Sequence, residues 1–103
     1  MAYRLIISPD ALGDLVALHR SIAQDSPDAA AKMVSRILTA IELLGVFPLR
    51  QVLSGQSRRE KYPVRGLPVY PYMIYFRVRQ DDQVVRVLNI LHGARRRPRQ
   101  FKK

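Results

Sequence analysis

The tetrapeptide Ser-Pro-Asp-Ala occurs twice in this chain of 103 residues, at 8–11 and again at 26–29. In each copy the serine can cap a helix, the proline fits the first helical position, and the aspartate favours the positive end of the helix dipole. The spacing of 18 residues predicts two consecutive helices, over about 9–24 and 27–46, joined by a tight turn around Asp25. A helical hairpin near the N-terminus is therefore the strongest constraint on the fold.

Both predicted helices are amphipathic, because their apolar residues recur at helical spacing. In the first helix we expect burial of Leu12, Leu15, Leu18 or His19, and Ile22. In the second helix the apolar stripe consists of Ala30, Val34, Ile37, Ile41 and Leu44. One apolar face of the hairpin must therefore be covered by another part of the fold.

Short segments of alternating character predict strands. The first lies at 3–7, and three more follow a polar loop at 49–57: strands at 58–64, 72–79 and 84–91, with turns at 66–68 and 80–83. The last strand is apolar on both faces apart from Arg86 and Asn89, which predicts a central position in the sheet. The predicted fold is α+β, with the order β-αα-βββ and the helical hairpin packed on a small, mainly antiparallel sheet.

Positive charge is concentrated in the second half of the chain. Residues 1–46 contain four basic and five acidic residues, whereas residues 47–103 contain fourteen basic and three acidic ones. The formal net charge is +10, and six of the last nine residues are basic. This asymmetry favours a polyanionic partner, either nucleic acid or an acidic protein segment. We expect residues 1–94 to form one domain and residues 95–103 to be a basic tail.

Composition argues against several functional classes. The chain has no cysteine, so it forms no disulfide and uses no thiolate, which is typical of a cytoplasmic protein. Neither His19 nor His92 has a second ligand at a useful spacing, so we expect no metal site and no cofactor. No apolar run approaches the roughly 20 residues that span a bilayer, and the N-terminus lacks a signal-peptide pattern. We therefore expect a cytoplasmic protein without a membrane partner.

Alternation along 72–79 sorts the side chains onto two faces of the sheet. The face that we expect to meet the hairpin carries Ile74, Phe76 and Val78. The exposed face should combine the other set with basic residues of the preceding strand: Arg59, Lys61, Arg65, Tyr75, Arg77 and Arg79. With no acidic residue among them, these five cations around Tyr75 favour binding of phosphate or carboxylate groups; ordinary solvated charges are the alternative.

His92 is the one residue near the end of the last strand that titrates close to neutral pH. It could serve as a general acid or base, or it could be a packed or capping histidine.

The order of elements, with the residues that fill it, resembles the RelE/ParE superfamily of toxins from bacterial toxin–antitoxin modules. The resemblance spans nearly the whole chain. In the first half of the chain it rests on the strand and helix start at 3–15, the second helix start at 26–30 and the helix end at Phe47-Pro48. In the second half it rests on the strand start at 58–60, the central strand at 72–78 and the C-terminal segment Val87-Leu88-Asn89-Ile90-Leu91-His92-Gly93-Ala94-Arg95.

Two branches of this superfamily imply different activities. RelE-type members are ribosome-dependent mRNA endonucleases, whereas ParE-type members poison DNA gyrase without chemistry of their own. Where the endonucleases carry an arginine at the head of the central strand, this chain has Met73, and where they carry a late tyrosine it has Gln100 and Phe101. Only Arg95 and Lys61 match nuclease-like cations, so the resemblance favours the ParE-like branch. A degenerate toxin that only binds its antitoxin is a further alternative.

The resemblance also implies partners and sites. The expected partners are an acidic antitoxin of the ribbon-helix-helix type, which forms a hetero-oligomer with the toxin, and DNA gyrase, with the ribosome and mRNA as the alternative target. The antitoxin is expected to cover the hairpin at Leu15, Ile22, Val34, Ile37 and Ile41. Target binding is expected to use the basic sheet face and Arg95, Arg96 and Arg97 of the tail. Candidate catalytic groups, if the chain is an enzyme, are His92 and Arg95.

Overall fold

A computed structural model describes residues 2–48 and 61–93. Its elements are β1 (Arg4–Ile7), α1 (Pro9–Ala23), α2 (Pro27–Leu44), β2 (Arg65–Val69), β3 (Tyr72–Arg79) and β4 (Val84–His92). The four strands form one sheet in the order β1-β4-β3-β2, in which β1 is parallel to β4 and the other pairs are antiparallel. The predicted α+β class, the order β-αα-βββ and the mainly antiparallel sheet are confirmed.

Both helices begin at the predicted caps. The hydroxyl of Ser8 accepts a hydrogen bond from the Ala11 amide at 3.0 Å, and that of Ser26 accepts one from the Ala29 amide at 3.1 Å. Each serine is followed by a proline in the first turn. The helices end within two residues of the predicted positions, so the repeated tetrapeptide located the hairpin correctly.

The core lies between the hairpin and one face of the sheet. Its buried members are Ala11, Leu18, Ile37, Ile41, Leu44, Val69, Ile74, Phe76, Val78, Val85, Val87 and Ile90. The predicted stripe of α2 is confirmed, but Leu12 of α1 is 49% exposed, and Ala11 occupies the buried position instead. Ala11 continues the helical spacing of Leu15, Leu18 and Ile22, whereas Leu12 lies about 100° further round the helix, away from the core.

The second strand differs from its prediction. Residues 61–64 are not a strand, and residues 58–60 lie outside the described part of the chain. The strand instead covers 65–69, where Gly66 and Pro68 had indicated a turn, and the turn falls at Tyr70-Pro71. Because β2 is an edge strand, Pro68 does not interrupt a central ladder, so a proline is tolerated there.

The central position of β4 is confirmed, and the strand carries one irregularity. Its register with β3 shifts between Tyr75 and Phe76, so that Leu88 is the additional residue of β4. The carboxylate of Asp14 on α1 accepts a hydrogen bond from the Ile90 amide at 2.8 Å and another from the Asn89 side chain at 3.1 Å. These two hydrogen bonds attach α1 to the part of β4 that follows Val87, the last residue of β4 that pairs with β1.

Candidate functional site

A groove of about 750 Å³ lies on the sheet face opposite the helices, and we call it the outer groove. It is lined by Arg4, Ile6, Lys61, Tyr62, Arg77, Arg79, Asp82, Val84 and Arg86. Among these lining residues five are cationic and one is acidic. The groove is therefore suited to an anionic ligand.

The sheet register places four arginines in two neighbouring rows. Arg77 of β3 lies directly opposite Arg86 of β4, whose other neighbour is Ile6 of β1. In the next row, Val84 of β4 lies between Arg4 and Arg79. Side chains two residues apart on a strand share a face, so all four arginines project from the outer face of the sheet. We call these four residues the arginine array.

The two central arginines are held more firmly than the outer ones. Arg77 and Arg86 are half-buried, whereas Arg4 and Arg79 are exposed. Arg77 donates from Nη1 to the backbone carbonyl oxygen of Tyr62. This bond fixes the guanidinium group of Arg77 against the segment that precedes β2.

Tyr62 connects several charged groups at one end of the groove. Its hydroxyl donates to a carboxylate oxygen of Asp81 at 2.9 Å. The guanidinium carbon of Arg79 lies 4.8 Å from the centre of the tyrosine ring, and the Lys61 ammonium lies 5.5 Å from it, both within range of cation–π attraction. The ring therefore helps to hold two cations at the groove.

The hairpin turn at 80–83 adds acidic groups that the sequence analysis did not place on this face. Asp82 pairs with Arg79 at 3.0 Å, and Asp81 lies 3.8 Å from the Lys61 ammonium. The expectation of a face without acidic residues is therefore wrong, because the turn folds back beside the strand ends. All four side chains are largely exposed, and such ion pairs contribute about 0–1 kcal/mol each.

The predicted anion-binding set is brought together only in part. Lys61, Arg77 and Arg79 line the outer groove, although Lys61 precedes β2 rather than lying within a strand. Arg65 is a correction: it lies opposite the buried Phe76, and cross-strand partners share a face, so it lies on the helix side of the sheet. Tyr75 keeps the outer face by alternation but does not line the groove.

Other predicted site residues lie elsewhere. His92 is exposed at the far end of β4, where its ring makes an edge-to-face contact with Tyr72 at 5.4 Å. Residues Arg59, Arg95, Arg96 and Arg97 lie outside the described part of the chain, and so does the boundary expected at 94/95.

Two of the five hairpin residues that were expected to contact an antitoxin, Ile37 and Ile41, need correction. Ile37 and Ile41 are buried in the core, so no partner can reach them without displacing the sheet. Leu15, Ile22 and Val34 are partly buried and pack against the same core. The apolar stripe that was assigned to a partner is thus covered mainly by this chain's own sheet.

Two arginines of the groove were missed by sequence reasoning, and so was Tyr62. Arg86 interrupts an otherwise apolar central strand, and this interruption was a usable signal, because a charge there must point away from the core. Arg4 could not be found, since its place depends on the parallel pairing of β1 with β4 between residues far apart in the chain.

The comparisons with known proteins agree with this architecture. Residues 5–97 match the sequence model of the family described as "ParE toxin of type II toxin-antitoxin system, parDE". The chain belongs to this family of toxins. It is a type II toxin of the RelE/ParE superfamily, as the residue pattern had indicated.

The names of individual relatives include both RelE and ParE. The chain is 38% identical over 85 residues to "Toxin RelE2" of Caulobacter vibrioides, which covers 82% of this chain and 89% of that protein. It is similar in fold to the chromosomal ParDE system of P. aeruginosa, with a TM-score of 0.69, 21% identity, and 88% and 96% of the two chains covered. The archaeal RelE-RelB complex from Pyrococcus horikoshii gives a TM-score of 0.66 at 18% identity, with 93% and 100% covered.

Neither helix within 2–48 and 61–93 is long and apolar enough to cross a membrane. In the same ranges, no three His, Asp or Glu side chains come together as a metal site would require.

Proposed function

We propose that this toxin acts as a ParE-like inhibitor that poisons DNA gyrase, and that a cognate antitoxin neutralises it. The observation that carries the proposal is the separation between His92 and the cations of the outer groove. His92 lies opposite Tyr72, which is five residues along β3 from Arg77 and seven from Arg79, or roughly 17 Å and 23 Å. A general acid or base must come within hydrogen-bond reach of the group that it serves. His92 and the arginine array therefore do not act on one phosphate, which supports a toxin without chemistry of its own.

A second candidate function is a ribosome-dependent endoribonuclease, which a different observation favours. Tyr62 lies in the outer groove with Lys61 and Arg77, and its hydroxyl is hydrogen-bonded to Asp81. Cleavage of RNA needs a group that accepts the proton of the ribose hydroxyl and a cation that stabilises the phosphate charge. In this alternative Tyr62, rather than His92, would be the acid–base residue.

An antitoxin partner is supported by the apolar surface that the fold leaves open. Large apolar side chains that are at least 38% exposed in the described residues are Leu12, Val16, Leu38, Leu43, Val46, Phe47 and Tyr70. A groove of about 440 Å³ lies between α2 and the end of β2, lined in part by Arg36, Leu43, Val69 and Tyr70. An amphipathic segment could bury this apolar surface, and acidic residues on it would complement the net charge of +10. We therefore propose that an acidic antitoxin, of the ribbon-helix-helix type, docks at this groove between α2 and β2 to form a hetero-oligomer.

Expression in growing bacteria separates the two functions. The chain is induced with and without the product of the neighbouring gene, and a DNA-damage reporter, cell length and intact mRNA are followed. We expect filamentation and reporter induction with mRNA left intact, and restored growth when the antitoxin is present. Cytoplasmic action follows from the target, because gyrase acts on chromosomal DNA.

Two substitutions identify the chemistry, if any is used. His92→Gln keeps a donor and an acceptor, so we expect it to retain toxicity. Tyr62→Phe removes only the hydroxyl that bonds Asp81, and we expect toxicity to survive it as well. Loss of about 10²–10⁴-fold in mRNA cleavage by either variant, beside clear cleavage by the unsubstituted chain, would establish the endonuclease instead.

A further inference from the structure

The arginine array places like charges in direct opposition at the centre of the sheet. Arg77 and Arg86 are cross-strand partners on the two inner strands, and both are half-buried. Like charges directly opposite each other destabilise a sheet, whereas an apolar or oppositely charged pair would stabilise it. Residues that break a local rule of stability in this way are typical of a binding surface.

We propose that the outer groove binds the sugar-phosphate backbone of DNA, so that the toxin contacts the DNA on which gyrase acts. The proposal rests on the gyrase function given above and extends it with a second component of the target. Arginine presents a planar set of donors that can bind one phosphate at two points. Arg77 and Arg86 stand about 5 Å apart on neighbouring strands, whereas Arg4 and Arg79 stand about 10 Å apart with Val84 between them. The two rows are about 7 Å apart along the strands, so the four arginines can meet successive charges of one polymer.

The position of the groove on the face of the sheet favours DNA over an acidic peptide. The backbone groups of the inner strands β3 and β4 are paired within the sheet, so an extended peptide lying across this face would find few partners for its own amides and carbonyls. Burying such groups without hydrogen bonds is costly. A nucleic-acid backbone presents acceptor oxygens and carries no amide. The arginine array can therefore donate hydrogen bonds to its phosphate oxygens and leave no backbone group unpaired.

The acidic side chains at the rim do not block this use. Asp81 and Asp82 pair with Lys61 and Arg79 through exposed contacts, which contribute little to stability. An arriving phosphate can therefore replace either carboxylate at small cost.

The test measures binding of a fluorescent DNA duplex to the full-length chain over a range of salt concentrations. Two variants remove one charge each from the groove, Arg86→Gln on β4 and Arg4→Gln on β1. The matched control is Arg20→Gln, which removes one exposed charge from α1 on the helix side. The basic tail is present in all four proteins, so its contribution cancels in the comparison.

We expect each groove variant to reduce the slope of log affinity against log salt by about 0.9, and to weaken binding about fivefold at physiological salt. The control should leave both quantities close to those of the unsubstituted chain. Melting curves of every variant are recorded in the absence of DNA. The melting curves show at the same time that each variant is folded.

Two results would overturn the inference. One is equal loss of affinity in the groove variants and in Arg20→Gln, which would mean that only net charge matters. The other is competition by polyglutamate as effective as that by DNA at equal charge, which would assign the groove to an acidic protein. If DNA binding depends on Arg86 and Arg4 but the toxin leaves gyrase unaffected, the inference about the groove stands and the proposed function fails.

Discussion

Ser8 and Ser26 both cap a helix, but within the described residues only Ser8 is also hydrogen-bonded to the sheet. Ser8 and Ser26 occupy the same position of the repeated tetrapeptide, and each caps a helix. Ser8 is only 6% exposed, and its hydroxyl also donates to the Leu88 carbonyl oxygen at 2.9 Å. Ser8 therefore joins the start of α1 to β4, whereas the hydroxyl bond of Ser26 caps its own helix.

Alanine substitution should separate these two roles. Ser26→Ala removes one exposed cap and should lower the free energy of unfolding by about 1 kcal/mol. Ser8→Ala also leaves a buried carbonyl without its donor, so we expect a loss of about 2–3 kcal/mol. Urea denaturation of the two variants measures the difference. Equal losses would show that the bond to Leu88 contributes nothing.

For these residues the sequence predicted the helix caps but not the hydrogen bond from Ser8 to Leu88. Capping depends on residues within one turn of helix, which the tetrapeptide displays directly. The bond from Ser8 to Leu88 joins residues 80 positions apart, and it requires β1 to lie parallel to β4. The same holds for Asp14, which was placed on a helix but whose contact with the Ile90 amide depends on the tertiary fold.

Among the elements, predictions succeeded where periodicity was long and failed at the edge strand β2, whereas the short edge strand β1 was placed within one residue. The two helices, β3 and β4 have eight or more residues each, so their patterns are unambiguous. Strand β2 has five residues and contains Gly66 and Pro68, which locally favour a turn. Pairing with β3 overrides this preference, and the outer groove could not be assembled correctly without that register.

Two glycines should respond to alanine with opposite sign. Gly13 lies within α1, and a Cβ added there meets nothing within 4 Å, so Gly13→Ala should stabilise the protein by about 0.5–1 kcal/mol. Gly45 caps α2, where a Cβ would lie 3.3 Å from the carbonyl oxygens of both Tyr3 and Glu42. Its own carbonyl accepts from the Tyr3 amide, so the backbone there cannot easily move.

We therefore expect Gly45→Ala to lower the melting temperature while Gly13→Ala raises it. Thermal unfolding followed by circular dichroism measures both. A rise for Gly45→Ala would mean that α2 and β1 can separate without loss of stability.

The whole molecule presents a basic sheet face and open apolar surface on the helices and near the edge strand. Leu43 is 57% exposed on α2 beside the groove at Tyr70, and Leu12 is 49% exposed on α1. Because both are exposed, serine at either position should change stability little. If the antitoxin docks beside β2, only one of the two substitutions should weaken its binding.

We expect Leu43→Ser to weaken antitoxin binding about tenfold, which is typical of a truncated contact near the centre of an interface. Leu12→Ser serves as the matched control and should retain most of the affinity. Titration calorimetry with the purified neighbouring gene product measures both. A larger loss of affinity for Leu12→Ser would show that the antitoxin docks on α1 instead.

The central claim at this scale is that the toxin acts on gyrase. The most direct measurement mixes purified toxin, gyrase and supercoiled plasmid DNA, traps any cleaved DNA with detergent, and separates the products by electrophoresis. We predict that linear DNA accumulates with increasing toxin, that His92→Gln behaves like the unsubstituted chain, and that prior addition of antitoxin prevents the accumulation. Unchanged supercoiling at every toxin concentration, together with cleavage of mRNA on translating ribosomes by the same preparation, would contradict the account.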